Sequence, residues 1–347
     1  MESFDVVVIG GGIAGVSIGH HLAADRAVCL LEGERSLAAH TTGRSAATWI
    51  GSYGPPRVRA WTQQSRPFID DPPLQVDGPL LTPLPCLYVG AAGSADAVRA
   101  LASETEAELL TAEEAEQLNP ALRPGHTELA ALDATAMELD VHGLHQGYLR
   151  GLRARGGVVH TSSLVTGASR VDGQWVIRSS SGTEVTAPLV VNAAGAWGDQ
   201  VGSLFGSSGV GLTPRRRTMF ASPTSVPVRG LPFTCDIDDG WYFKPEGDTV
   251  LCSPQEATAH EPGDPKPDEL EIARTIEEIN DATTLELRSV RTAWAGLRTF
   301  APDGEPVVRH DDTIDGLFWF VGQGGYGIQM APALAAYGAS AVNRRDR

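Results

Sequence analysis

"FDVVVIGGGIAGVSIGHHLAADRAVCLLEGE", residues 4–34, is the stretch on which the fold turns. Phe4–Ile9 is an apolar run broken by Gly10. Ile13, Val16, His20 and Ala24 then recur at helical spacing, and Ala27–Leu31 is a second apolar run ending in Glu32. The order is strand, glycine turn, helix, strand, the opening unit of a dinucleotide-binding fold. Gly10-x-Gly12-x-x-Gly15 lies at the turn. The first glycine closes the turn, the second lets a pyrophosphate approach the backbone, and the third packs helix on strand. The leading helix amides, at Ile13 and Ala14, face the phosphates. Glu32 stands where an acid accepts a ribose hydroxyl.

The rest of the chain is consistent with that opening. Its 347 residues suffice for one large or two intimately packed domains. A net charge of −16 excludes nucleic acid or an anionic membrane as a general partner, though not a local anion pocket. The longest apolar runs are too short and too rich in glycine to span a bilayer. The N-terminus has no basic region and no cleavage signal, so a cytoplasmic location is expected. Cys29, Cys86, Cys235 and Cys252 lie far apart, which fits neither a disulfide framework nor a zinc site, and no metal is expected.

Further elements follow from local signals. "TTGRSAATW" (41–49) is read as a polar turn opening a helix, and "PRVRAWTQQSRPFI" (56–69) as an amphipathic helix. "SADAVRALASETEAELL" is read as one helix capped by Ser94. Thr111 with Glu114 forms a capping box for the next helix. Residues 140–157 form a helix stopped by Gly156-Gly157, hairpins follow, and 267–280 is another helix. "GQGGYGIQMAPALAAYGASAV" (322–342) is a glycine loop opening a final helix. The pattern is a βαβ nucleotide domain interleaved with an antiparallel one.

Two distant segments select FAD over NAD. "HTTGRSAAT" (40–48) offers hydroxyls, Arg44 and backbone amides as a second phosphate cradle. "GQGGYGIQ" (322–329) offers amides at a helix start, where a positive helix end favours reduced, anionic flavin. One charge is anomalous. In "WAGLRTF" (294–300), Arg298 sits among residues that leave water, and an unpaired buried guanidinium is costly. It needs an anion.

Taken together, "VVVIGGGIAGVS", "TTGRSAA", "LHQGYLRG", "LVVNAAGAW", "RRRTMF", "WYFKP", "WAGLRTFAPDGEP" and "GQGGYGIQ" resemble the D-amino acid oxidase-like FAD-dependent oxidoreductases, nearly end to end. The wording looks most like the D-arginine dehydrogenase type of D-amino acid dehydrogenase. The resemblance implies a mixed α+β and α/β fold. A glutathione-reductase-type Rossmann FAD-binding domain (1–80, 140–212, 300–347) would interleave with an antiparallel-sheet substrate domain (81–139, 213–299). It implies noncovalent FAD on Gly10, Gly12, Ile13, Ala14, Gly15 and Glu32. Thr41, Thr42, Gly43, Arg44, Ser45, Ala46 and Ala47 would line the cofactor. Val165 would touch the adenine side, Ala194, Gly195 and Trp197 would flank the FAD, and Gly324, Gly325, Tyr326, Gly327, Ile328 and Gln329 would carry the flavin.

The same resemblance supplies the anion. Arg298 and Arg217 would clamp a substrate carboxylate with the Tyr242 hydroxyl, Tyr53 would form a mobile lid, and the Gly325 carbonyl would face the amine. Hydride transfer from Cα to flavin N5 would give an imino acid that water hydrolyses to a 2-keto acid and ammonia. His145 is read as structural. Where D-arginine-type enzymes carry a Glu, this chain has Cys86; Thr48 and Ile50 replace a His and a Thr of the lid segment. With Tyr326, these four residues would form a less polar substrate pocket, so arginine and lysine are not expected as preferred substrates. Alternatives are a sarcosine- or glycine-type or biosynthetic amine oxidase, or a non-catalytic FAD-binding protein. The sequence does not identify the electron acceptor; a quinone and O2 are the candidates, and the resemblance favours a dehydrogenase.

Overall fold

The computed structural model describes residues 2–344. At its centre is a six-stranded sheet. In order across the sheet its strands are Val158–His160, Val28–Leu31, Val6–Ile9, Leu189–Asn192, Leu317–Val321 and Val307–His310. All pairs are parallel except the last. Val6–Ile9 is buried along its whole length, which is why it reads as a continuous apolar run rather than an alternating one. Successive residues point to opposite faces. Val6 and Val8 pack under the helices Ile13–Leu22, Val141–Ala154 and Gly327–Val342, against Val16, Leu144, Phe320 and Leu334. Val7 and Ile9 pack against Ile177 and Val185 of a separate four-stranded sheet.

The second large element is a nine-stranded sheet. It is antiparallel except where Phe233–Asp236 runs parallel to Cys86–Ala91. Helix Glu269–Ala282 covers one face through Ile272 and Ile279, which pack near Phe220, Phe243 and Cys252. The two sheets meet where the chain leaves Val321. Gln323–Gly324 joins the edge of the nine-stranded sheet beside Thr299 and Phe300, and the helix Gly327–Val342 then returns to the parallel sheet. Any ligand lying along the parallel strands' carboxyl ends therefore faces Thr292–Phe300.

Several local readings hold. Thr111 Oγ1 accepts from the Glu114 amide (3.3 Å) while the Glu114 carboxylate accepts from the Thr111 amide (2.8 Å), completing the capping box. Asp140 caps Val141–Ala154 through the Gly143 amide. Two readings fail. "TTGRSAATW" opens no α-helix: Thr41–Arg44 is one 3₁₀ turn, Ala47 takes φ +57°, and Thr48–Trp49 pairs with Met137–Glu138. The helix after Ser94 ends at Glu104, and Glu108–Thr111 is a strand paired with Leu129–Leu132. Sheet pairing and the burial of Leu110 override helix propensity there. Ser94 does not cap; its hydroxyl binds Asp238.

Candidate active site

A long cleft of about 400 Å³ crosses the carboxyl ends of the parallel strands. Gly10 at its floor has φ +110°, and a Cβ there would sit 2.4 Å from the Ala193 carbonyl oxygen. At Gly15 a Cβ would meet the Gly10 carbonyl at 1.8 Å, so the third glycine serves helix–strand packing and lies off the cleft wall. Ile13 and Ala14 line the cleft where their helix begins, and Gly12 caps that helix with no side chain. The Ile13 amide donates to Thr42 Oγ1 (3.0 Å), drawing the 41–44 turn over the helix start.

Glu32 lies at one end. Its carboxylate accepts from the Gly11 amide (2.6 Å) and the Glu34 amide (2.8 Å), which fixes it at the rim. Val165, Ala194, Gly195 and Trp197 line one wall, and His40 packs against Trp197 with ring centroids 4.7 Å apart. At the other end Gly324, Gly325, Gly327 and Ile328 border the start of the final helix, which also has no side-chain cap. Two helix starts whose N-cap residues give no side-chain cap face one cleft, the first with its Ile13 amide on Thr42, and an acid lies at the far end. The arrangement suits a dinucleotide: amides for the pyrophosphate, a carboxylate for ribose, and a positive helix end for the ring system.

Not every residue of the 41–47 and 324–329 segments faces this cleft. Thr41, Thr42 and Ser45 do; Gly43, Arg44, Ala46, Ala47, Tyr326 and Gln329 do not. Arg44, expected at the phosphates, lies off the cleft wall. Its guanidinium is held by Asp264 (2.5 Å) and by the carbonyls of Ala39 and Ala295, because the 3₁₀ turn directs it toward the strand Thr292–Phe300. Gln329 turns inward, accepting from the Ile50 amide (3.3 Å) and donating to Thr62 (2.9 Å).

A smaller cavity of about 60 Å³ adjoins the cleft, and Thr41, Ser45, Gly325 and Ile328 line both. Strands Thr213–Pro223 and Thr292–Phe300 supply two of its cations, Arg217 and Arg298, and the 41–44 turn supplies Arg44. Arg215 stands opposite Arg298 and Arg217 opposite Gly296, so alternation places Arg217 and Arg298 diagonally on one face. Arg216 points the other way, to Asp268 (2.5 Å) and Glu256 (3.5 Å). Arg215 shares the site's face but lies outward over the Phe300 ring.

Arg298 Nη1 donates to the Tyr53 hydroxyl (2.9 Å), and the Tyr53 ring lies 5.1 Å from that of Tyr326. Arg217 Nε donates to the Glu256 carbonyl (3.0 Å), leaving Nη1 buried without a partner. Burial and the neighbouring Arg298 charge hold Arg217 below its ordinary pKa. Burial also opposes charge on Arg298, but the Tyr53 and Tyr242 phenols outweigh it, and Arg298 remains cationic.

Four residues expected at the substrate site lie off the cavity wall, and Tyr326, which packs on Tyr53, is one of them. Tyr242 is buried behind the guanidiniums, against Phe233, and does not line the cavity. Burial pushes its phenol up, and Arg298 and Arg217 pull it back in part. Cys86 and Ile50 also lie off the cavity wall. Cys86 is fully buried with its sulfur 3.9 Å from that of Cys235, in a core that includes Ile50 and Tyr88. The parallel pairing of Cys86 with Phe233 turns the thiol into that core. Thr48 does line the cavity. Met219 and Gly296, which sequence reasoning did not single out, line it too. Period 2 from Arg217 would have found Met219, and a glycine inside a strand is a signal of close approach.

A parallel sheet whose strand ends carry a dinucleotide cleft, beside a mixed sheet presenting two arginines, defines a flavin-dependent oxidoreductase. The chain belongs to the DAO family of FAD-dependent oxidoreductases, whose profile matches residues 5–341. Glycine oxidase of Bacillus licheniformis is 25% identical, with 96% of this chain and 91% of that protein covered. Mitochondrial dimethylglycine dehydrogenase of Rattus norvegicus is 25% identical over 96% of this chain but only 42% of its own length. The chain spans less than half the length of the mammalian relatives it matches. Among solved structures, glycine oxidase from Geobacillus kaustophilus superposes with a TM-score of 0.83 at 18% identity, covering 100% of this chain and 96% of that one. These relatives are not specifically D-arginine dehydrogenases. Among the described residues no helix is long and apolar enough to cross a membrane.

Proposed function

We propose that this FAD-dependent oxidoreductase oxidises the carbon–nitrogen bond of a compact amino acid or secondary amine that carries a carboxylate. The observation that carries the reading is the pair Arg217 and Arg298, facing a cavity that opens beside Gly325 onto the cofactor cleft. A carboxylate on Arg298 receives charge-assisted hydrogen bonds in a partly dry site, which fixes its orientation. The carbon beside it then lies toward Gly325 and the cleft. FAD, when bound, supplies the two-electron acceptor for that carbon's hydride. No His, Asp or Glu lines the cavity to take a proton there, so the reading requires that the amine bind in its neutral form.

Glu32, the Ile13–Ala14 helix start, Thr42 and Ala194–Trp197 would hold the cofactor without a covalent bond. His40, the nearest candidate tether, is engaged by Glu34 (2.9 Å) and Trp197. The absence of an acidic side chain from the cavity wall argues against a basic substrate such as D-arginine or D-lysine. The names of the relatives, glycine oxidase and dimethylglycine dehydrogenase, favour a glycine-derived or N-substituted amine as much as a D-amino acid.

The test is anaerobic addition of glycine, sarcosine, N,N-dimethylglycine and a set of D-amino acids to the holoprotein. Bleaching of the oxidised flavin band by a small or N-substituted acid supports the reading. Bleaching by none of them, or fastest bleaching by D-arginine, overturns it.

A further inference from the structure

The charges around the small cavity do not balance. Three guanidiniums line it, those of Arg44, Arg217 and Arg298, and no carboxylate does. Arg44 is neutralised by Asp264. The other two have only neutral partners: the Tyr53 hydroxyl for Arg298 and the Glu256 carbonyl for Arg217. The Glu256 carboxylate accepts from the Thr218 amide (2.6 Å) and pairs with Arg216 (3.5 Å), and its charge also acts on Arg217 without a direct contact. Two positive charges thus face one space, and Arg217 Nη1 has a hydrogen to donate and no acceptor. One monocarboxylate, with a neutral amine, supplies a single counter-charge. Arg217 Nη1 would then stay buried with no acceptor, which is costly.

Geometry separates the two arms. Arg217 and Arg298 are diagonal neighbours on adjacent strands, roughly 7–8 Å apart at the backbone, and each presents its own fork. The residue directly opposite Arg217 is Gly296, whose missing side chain lets Arg44 and Thr41 pack close over that part of the face. The cavity is small, so two acids that reach both forks lie only a few bonds apart.

We infer that the substrate is a compact amino diacid, one carboxylate held by Arg298 and a second acidic group by Arg217. This rests on the amine-oxidation reading above and narrows its substrate class. Arg217 is then the specificity-determining residue, recognising the part of the substrate that does not react.

The experiment compares unreactive acids on the holoprotein by titration calorimetry. Malonate and succinate are expected to bind at least ten-fold tighter than acetate and propionate. Arg217→Gln is expected to remove that advantage, weakening the dicarboxylates at least ten-fold more than the monocarboxylates. Under anaerobic conditions iminodiacetate is expected to bleach the flavin at lower concentration than sarcosine. Equal affinities for mono- and dicarboxylates in the unaltered protein overturn the inference, whether or not the variant folds. Equal weakening of both classes by Arg217→Gln also overturns it, because both arginines would then serve one carboxylate. Preference for dicarboxylates without bleaching by any amine would leave this inference standing and remove the oxidation reading. Bleaching without that preference would do the reverse.

Discussion

Gly325 lies so close to Arg298 that a Cβ at residue 325 would come within 2.7 Å of the guanidinium Nε. The missing side chain is therefore what allows Arg298 to lie flat beside the loop that borders the cofactor cleft. The close approach also ties two distant parts of the chain into one wall, since Gly325 lines both cavities.

Gly325→Ala follows directly from this contact. Gly325 does not use the left-handed backbone region, so the cost of alanine is steric and falls on Arg298. Overpacking of this kind costs about 1–3 kcal/mol. The expected outcome is a KM raised roughly ten-fold or more, with FAD content little changed and Tm lowered by about a few degrees. A variant with unaltered KM would show that Arg298 is not held by this loop.

Tyr53 is the one hydrogen-bond partner of Arg298 among the described side chains, and it sits between Ile50 and Gly54 in a turn with Gly54 at φ +98°. Tyr53→Phe deletes one charged-group hydrogen bond, worth about 1.5–3 kcal/mol where it is buried. The Tyr326 contact, between rings tilted at 59°, does not use the hydroxyl and survives. Substrate affinity is expected to fall about ten-fold, and a stopped-flow dissociation constant from the reductive half-reaction measures it. Loss of stability without loss of affinity would make Tyr53 a packing residue only.

The legible parts of this molecule were those set by backbone necessity. Gly10 needs a positive φ, Val6–Ile9 is buried on both faces, and the Thr111–Glu114 box satisfies local amides; each leaves a mark within a few residues. Arg298 was legible because a charge within an apolar strand demands a partner. Its neighbours were not. Whether Cys86 faces the cavity or the core depends on the parallel pairing with Phe233, a contact between segments nearly 150 residues apart. Arg44 was misassigned for the same reason: Asp264 and the Ala295 carbonyl reach it from far along the chain.

Lys244 offers a test of that long-range architecture. It is almost fully buried, yet its ammonium meets Glu138 and Glu246 (3.0 Å), and Glu138 pairs with Thr48 at the cavity wall. Glu138→Gln alone leaves Lys244 paired with Glu246, and a loss of about 1 kcal/mol is expected. Glu138→Gln with Glu246→Gln strands a buried ammonium, and losses of about 3–5 kcal/mol are expected. Urea unfolding of both variants measures this. Additive single-mutant effects of below 1 kcal/mol each would mean that water reaches the lysine head.

Acid sensitivity is expected to arise from His20, at the far end of the first helix. Its ring is buried against Tyr148 and His21, its Nδ1 has no partner, and Arg155 binds its carbonyl (2.6 Å). Burial, and then the charge of Arg155, lower its pKa from 6.5 to about 4. In the unfolded chain the same group takes up its proton near 6.5. Between these values the unfolded state binds the extra proton and the folded state does not, so stability falls as pH drops through this window and is whole above it. The full shift corresponds to at most about 3 kcal/mol. Denaturation at pH 7.5, 5.5 and 4.5 should show the wild type losing more stability on acidification than His20→Phe, which cannot titrate. Parallel losses in the two proteins would place the acid-sensitive group elsewhere.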